Sequence, residues 1–183
     1  MPNQLEGKRV LVTQAADYMG PATIKLFQAE GAEVISDNSD LTQDKACESV
    51  ITNTGHIDIL IANLASENYS GIYATELADD AWQDTFNKMV HPLHRLCRAV
   101  LPQMIARQAG KVIVYGSATA LRGVKTVAAY SAARAAQVGY VQALGVEVAP
   151  NNIQVNLIAQ NYVENPVYYP APLRAREGFQ RSV

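Results

Sequence analysis

Ser117, Tyr130 and Arg134 are the residues whose types and spacing could do chemistry together. They fall in one stretch, Lys111 to Arg134, reading KVIVYGSATALRGVKTVAAYSAAR. An apolar strand over Lys111–Tyr115 would deliver Ser117 at its end. A helix following the next loop would present Tyr130 and Arg134 on one face, because residues four apart lie one above the other. A phenol titrates near ~10 in water, and a neighbouring cation favours its anion. The Arg134 guanidinium would thus bring a phenolate at Tyr130 within reach of neutral pH. Tyr130 then becomes a general base, and the Ser117 hydroxyl could hold the oxygen whose proton it removes. With nine Tyr in the chain, a Tyr and an Arg four apart would also arise as an ordinary pair on a helix surface. The strand-end Ser and the pattern of the rest of the chain favour the chemistry.

The scaffold for these groups is legible in the alternation of short aliphatic runs with longer amphipathic ones. Strands are expected at Arg9–Thr13, Ala32–Ser36, Asp58–Ala62, Lys111–Tyr115 and Ile153–Ala159. Helices are expected at Pro21–Glu30, Thr42–Thr54, Asp79–Gln108 and Val127–Val148. Near-continuous aliphatic strands separated by helices predict an α/β fold: a Rossmann-like, doubly wound parallel sheet in three α/β/α layers, as one domain over residues 1–183. Ligands in such sheets bind at the carboxyl ends of the strands. After Ala159 come a loop over Gln160–Pro172 and a basic, partly helical tail, LRAREGFQRSV, with no further strand. This suggests that a C-terminal segment is lacking.

A chain of 183 residues that is 49% apolar can bury a full core. A net charge of −2 and a pI near 5.9, with no basic run, argue against nucleic acid or an anionic membrane as a partner. A small, roughly neutral partner is expected. Cys47 and Cys97 have no recognisable pairing, and no apolar leader precedes the first strand, so a reduced, cytoplasmic setting is expected. His56, His91 and His94 are scattered without a third ligand, and no metal site is expected.

The turn after the first strand reads Thr13-Gln14-Ala15-Ala16-Asp17-Tyr18-Met19-Gly20. Dinucleotide-binding folds place glycines there so that bare backbone can approach the pyrophosphate. Only Gly20 remains of such a turn, and Gln14 and Tyr18 stand where close approach needs no side chain. Asp37 at the end of the second strand, and Asp40-Leu41-Thr42 beyond it, argue the other way, since an acid there could take ribose hydroxyls. On balance no cofactor is expected.

Across its whole length the chain resembles the short-chain dehydrogenase/reductase superfamily. The resemblance rests on the degenerate turn TQAADYMG, on Ala62-Asn63-Leu64-Ala65 in place of an Asn-Asn-Ala-Gly turn, and on the Ser117–Tyr130 spacing. That superfamily has Tyr-x-x-x-Lys, where the Lys also binds the nicotinamide ribose. Here Arg134 keeps the charge but is bulkier and planar, so the ribose contact is the role expected to be lost. This Arg, the aromatic Tyr18 in the former glycine turn and the loop Gln160–Pro166 together resemble the halohydrin dehalogenases. The runs HPLHRLCRAVLPQ, VYGSATA and IAQNYV are similar to the B-type branch of that family.

The resemblance implies a carbon–halide lyase with Ser117, Tyr130 and Arg134 as its triad. It would convert vicinal haloalcohols reversibly to epoxide, halide and proton without nicotinamide. It further implies a halide site against the backbone N–H groups of Tyr162 and Val163, with Gln160 and Asn161 shaping the pocket and Tyr18 as its aromatic wall. In reverse, small anionic nucleophiles would open epoxides. The implied assembly is a homotetramer, built partly on the small-residue faces around Ala132, Ala133 and Ala136. Two alternatives stay open: an NAD(P)H-dependent oxidoreductase with a divergent turn, and a non-catalytic sensor or scaffold of the same fold.

Overall fold

Five short aliphatic runs become the strands β1 (Arg9–Val12), β2 (Glu33–Ser36), β3 (Ile59–Ala62), β4 (Gly110–Tyr115) and β5 (Ile153–Ile158) in a computed structural model that describes residues 3–66, 70–164 and 171–175. Every pairing is parallel, in the order β2-β1-β3-β4-β5. The helices are α1 (Gly20–Ala29), α2 (Ala46–Thr54), α3 (Asp79–Met89), α4 (His91–Arg107), α5 (Ala128–Val148) and α6 (Ala171–Arg174).

Successive residues of a strand point to opposite faces, so a sheet covered on both sides needs aliphatic residues at every position. Leu11, Leu60, Val112 and Val114 pack on one face with Ile51 of α2, Leu96 and Val100 of α4, and Leu144 of α5. Val10, Val12, Ile59 and Ile61 pack on the other with Ile24 and Phe27 of α1. Burying each such side chain contributes about 1.5–3 kcal/mol. The result is the expected three-layer, Rossmann-like arrangement.

Two boundaries differ from the sequence pattern by more than a residue, for local reasons. The single helix expected over Asp79–Gln108 is two, α3 and α4, parted at Val90. Pro92 stands in the first turn of α4 and has no N–H to bond back into the preceding turn. The helix expected from Thr42 begins instead at Ala46. The Asp40 carboxylate draws the Thr42 N–H, the Thr42 hydroxyl and the Gln43 amide into a turn, and Lys45 follows at φ 57°. Those bonds also hold the Asp40 carboxyl below its usual range, the Thr42 hydroxyl most of all.

Between Ser36 and Ile59 the chain makes only α2, which leaves β2 as the outer strand. Dinucleotide-binding sheets commonly run 3-2-1-4-5-6. The present order matches that pattern with its outermost strand removed. Residues 165–170 of the expected loop and most of the expected basic tail lie outside the described residues. Among the described residues no helix is long and apolar enough to cross a membrane.

Candidate active site

β4 leads its chain to the carboxyl edge of the sheet, where it is stitched to the exit of β5. The Gly116 N–H donates to the Ile158 carbonyl at 3.0 Å and the Ala118 N–H to the Gln160 carbonyl at 2.8 Å. This approach leaves no room at Gly116, where an added Cβ would meet the Leu157 side chain at 2.4 Å. Ser117 follows at once, 8% exposed. Its Oγ accepts from the Thr119 N–H at 3.2 Å and the Thr119 hydroxyl at 3.0 Å. Both contacts use Oγ as an acceptor, so the Ser117 O–H is left to donate into the space in front of it. Thr119 was missed in the sequence, although a Thr two residues after a Ser is the spacing such a turn uses.

α5 supplies the other two groups. Tyr130 is half-buried and Arg134 is 3% exposed. As the four-residue spacing predicts, the two side chains meet: the Arg134 guanidinium carbon lies over the Tyr130 ring, 5.0 Å from its centroid. Arg134 Nη1 donates to the Tyr115 carbonyl at 2.6 Å and to Gln137 Oε1 at 2.9 Å. Among the described residues no carboxylate pairs with Arg134.

Ser117 and Tyr130 line one cavity of about 290 Å³. Thr119, Arg122, Val127, Asn161 and Tyr162 line it with them. Arg122 Nη2 donates to Asn161 Oδ1 at 2.8 Å, and its guanidinium lies 5.9 Å from the Tyr162 ring centroid. The cavity therefore brings together Ser117, Tyr130, Asn161 and Tyr162, with Arg134 behind the Tyr130 ring. Gln160 and Val163 flank Asn161 and Tyr162 in the chain without lining the cavity. Tyr18 does not line it either. Its hydroxyl donates to the Ser66 carbonyl at 3.3 Å.

The former glycine turn is filled by its own side chains. Gln14 and Tyr18 adopt φ 42° and 51°, the left-handed region that favours glycine. The Gln14 amide accepts from the Ala65 N–H at 2.8 Å and donates to the Ala65 carbonyl at 3.0 Å. Asn63 Nδ2 donates to the Gln14 and Asp17 carbonyls at 2.9 and 3.0 Å. The β1–α1 turn is thereby closed onto the exit of β3.

The two thiols lie elsewhere. Cys97 and Cys47 are buried, and desolvation pushes them up to about 12 and about 11, which keeps both as unreactive thiols. Among the described residues no group of His, Cys, Asp or Glu is placed to hold a metal.

A doubly wound parallel sheet with its cavity at the strand carboxyl ends defines the Rossmann-like class of α/β proteins. The chain belongs to the short-chain dehydrogenase family, whose model matches residues 5–171. It is 30% identical over 184 residues to the 3-oxoacyl-(acyl-carrier-protein) reductase of Salmonella typhimurium, covering 87% of this chain and 75% of that protein. It is 32% identical over 164 residues to a protein of Streptomyces virginiae named as a ketoacyl reductase of the monensin polyketide synthase, where it spans 86% of this chain and 60% of that one. Among solved structures, one titled as a dehalogenation enzyme superposes with a TM-score of 0.84 at 27% identity, covering 97% of this chain and 81% of that chain. An NAD+-bound xylitol dehydrogenase shares the fold at 24% identity and a TM-score of 0.80, covering 87% of this chain and 72% of that chain.

Proposed function

We propose that this short-chain dehydrogenase relative is a halohydrin dehalogenase that works without nicotinamide. The observation that carries the reading is the pairing of the Gln14 side chain with both backbone groups of Ala65. It puts a side chain and its hydrogen bonds where a pyrophosphate would need bare backbone. The sheet order, with β2 outermost, supports the same conclusion, as does the structural likeness to a dehalogenation enzyme.

In this mechanism the haloalcohol hydroxyl sits between Ser117 and Tyr130, and the Ser117 O–H donates to its oxygen. Tyr130, as phenolate, takes the hydroxyl proton while Arg134 supplies the opposite charge that favours the anion. The alkoxide oxygen attacks the adjacent carbon from behind, the new C–O bond closes the epoxide, and the carbon–halogen bond breaks with its electron pair leaving as halide. The proton on Tyr130 then passes to solvent. The protein's contribution is alignment of an intramolecular displacement and stabilisation of the departing anion. Asn161 and Tyr162, the two expected halide residues that line the cavity, would face the departing halide. Tyr18, held by its hydroxyl to the Ser66 carbonyl, is given no part in this mechanism. The proposed partners are small haloalcohols, epoxides, halide and small anionic nucleophiles, acted on by a homotetramer.

Release of chloride from 1,3-dichloro-2-propanol by the isolated protein, with no nicotinamide added, tests the reading. Turnover is expected. A second reading, an NAD(P)H-dependent oxidoreductase, is favoured by the reductase names of the sequence relatives. It would replace the first if NADH or NADPH bound at micromolar concentration and no halide were released.

A further inference from the structure

Gln137 is a fully buried polar residue one turn beyond Arg134 on α5, with both ends of its amide in use. Its Oε1 accepts from Arg134 Nη1 at 2.9 Å, and its Nε2 donates to the Met89 carbonyl at 2.8 Å, at the end of α3. The same Nη1 donates to the Tyr115 carbonyl at 2.6 Å. A buried guanidinium is ordinarily compensated by a carboxylate. Here both oxygens that receive Nη1 are neutral, one from a backbone carbonyl of β4 and one from an amide braced against α3. They fix the guanidinium without cancelling its charge.

We propose that Gln137 is a positioning residue: a neutral tether that holds the Arg134 cation over the Tyr130 ring with its charge uncompensated, so that the phenolate of Tyr130 is the anion it stabilises. The inference rests on the proposed role of Tyr130 as base and names the residue that keeps the base's counter-charge in place. A carboxylate at position 137 would accept the same hydrogen bond, yet it would form an ion pair with Arg134 and withdraw that charge from Tyr130. An apolar residue of similar size would leave the charge but release the guanidinium from one of its two anchors. Among the described residues, the other charged or titratable groups lining the Tyr130 cavity are Arg122, from the turn after β4, and Tyr162, from the loop after β5. No carboxylate is among its described lining residues.

The test compares Gln137→Glu and Gln137→Met with the wild-type protein. Ionisation of Tyr130 is followed as the ultraviolet phenolate signal lost in a Tyr130→Phe version of each protein, which requires no substrate. The phenolate signal of the Glu variant should appear only at higher pH than that of the wild type, since an ion pair at position 137 takes up the charge that favours the anion. In the Met variant kcat for halide release should fall about tenfold or more, with KM within about twofold, because less of Tyr130 is present as the base while the residues lining the cavity are unchanged. Thermal unfolding reports whether each variant is folded. If the Glu variant fails to fold, the Met variant's Tyr130 titration is read instead, and it too should move upward. A Tyr130 titration unchanged in every folded variant would overturn the tether. Absence of halide release from the wild-type protein would instead overturn the dehalogenase reading and leave the titration to judge Gln137.

Discussion

The side-chain amide of Gln14 pairs with Ala65 as a neighbouring strand would, taking its N–H at 2.8 Å and giving to its carbonyl at 3.0 Å. The pair holds a non-glycine residue in the left-handed region at φ 42°, a conformation that costs roughly 1–3 kcal/mol unless its surroundings compensate. Gln14→Ala removes both bonds and leaves the backbone conformation, so it should destabilise by about 1–3 kcal/mol. Urea unfolding of the two proteins measures the difference.

Tyr130→Phe should reduce halide release by about 10²-fold or more, the scale of a lost general base. Ser117→Ala should also reduce it, because Thr119 holds Ser117 Oγ as an acceptor and aims its O–H at the substrate. Both variants should unfold at temperatures near wild type. Undiminished chloride release by Tyr130→Phe would remove Tyr130 from the mechanism.

Gly20 opens α1 where the turn passes close beneath it. An added Cβ would meet the Ala15 carbonyl oxygen at 2.4 Å and that of Gln14 at 2.8 Å, both backbone atoms that cannot rotate aside. Gly20→Ala should cost about 1–3 kcal/mol through overpacking, read as a lowered denaturation midpoint. Gly123, with nothing within 4 Å of its added Cβ, is the control, and Gly123→Ala should be close to neutral.

Asp58 provides a pH signature. Burial pushes its carboxyl up, but the Arg9 N–H donating to Oδ2 at 2.9 Å and His56 beside Oδ1 at 3.0 Å outweigh burial and hold it below its ordinary 3.8. A carboxyl lowered by folding contributes stability that is present above its ordinary value and is lost as pH falls through the lowered one. Acidification from neutral pH to below 3.8 should therefore destabilise the wild-type protein more steeply than Asp58→Asn. Unfolding midpoints taken across that range would show it; parallel curves would remove Asp58 as a contributor.

The strands were legible because aliphatic runs such as Val10–Val12 and Ile59–Ile61 have no solvated face to alternate with. The parting of α3 from α4 was not, because apolar spacing continues through Val90 and only the missing N–H of Pro92 interrupts it. The Ser117, Tyr130 and Arg134 spacing pointed to one region, and Ser117 and Tyr130 share its cavity with Arg134 behind. What spacing could not supply was the third dimension. A four-residue separation places Arg134 near Tyr130 but does not say that its Nη1 turns to the Tyr115 carbonyl and Gln137. Gln137 itself reads along the chain as one more residue of a small-residue helix. Tyr18 was placed in the pocket wall by resemblance alone, and no spacing along the chain announces the bond its hydroxyl makes to the Ser66 carbonyl.

The outermost position of β2 bears on how this scaffold could be re-engineered. Any group docked at this end of the sheet beyond β1 has β2 as the last strand beneath it, so an added strand-and-helix unit between Ser36 and Ile59 would be the direct way to widen that platform.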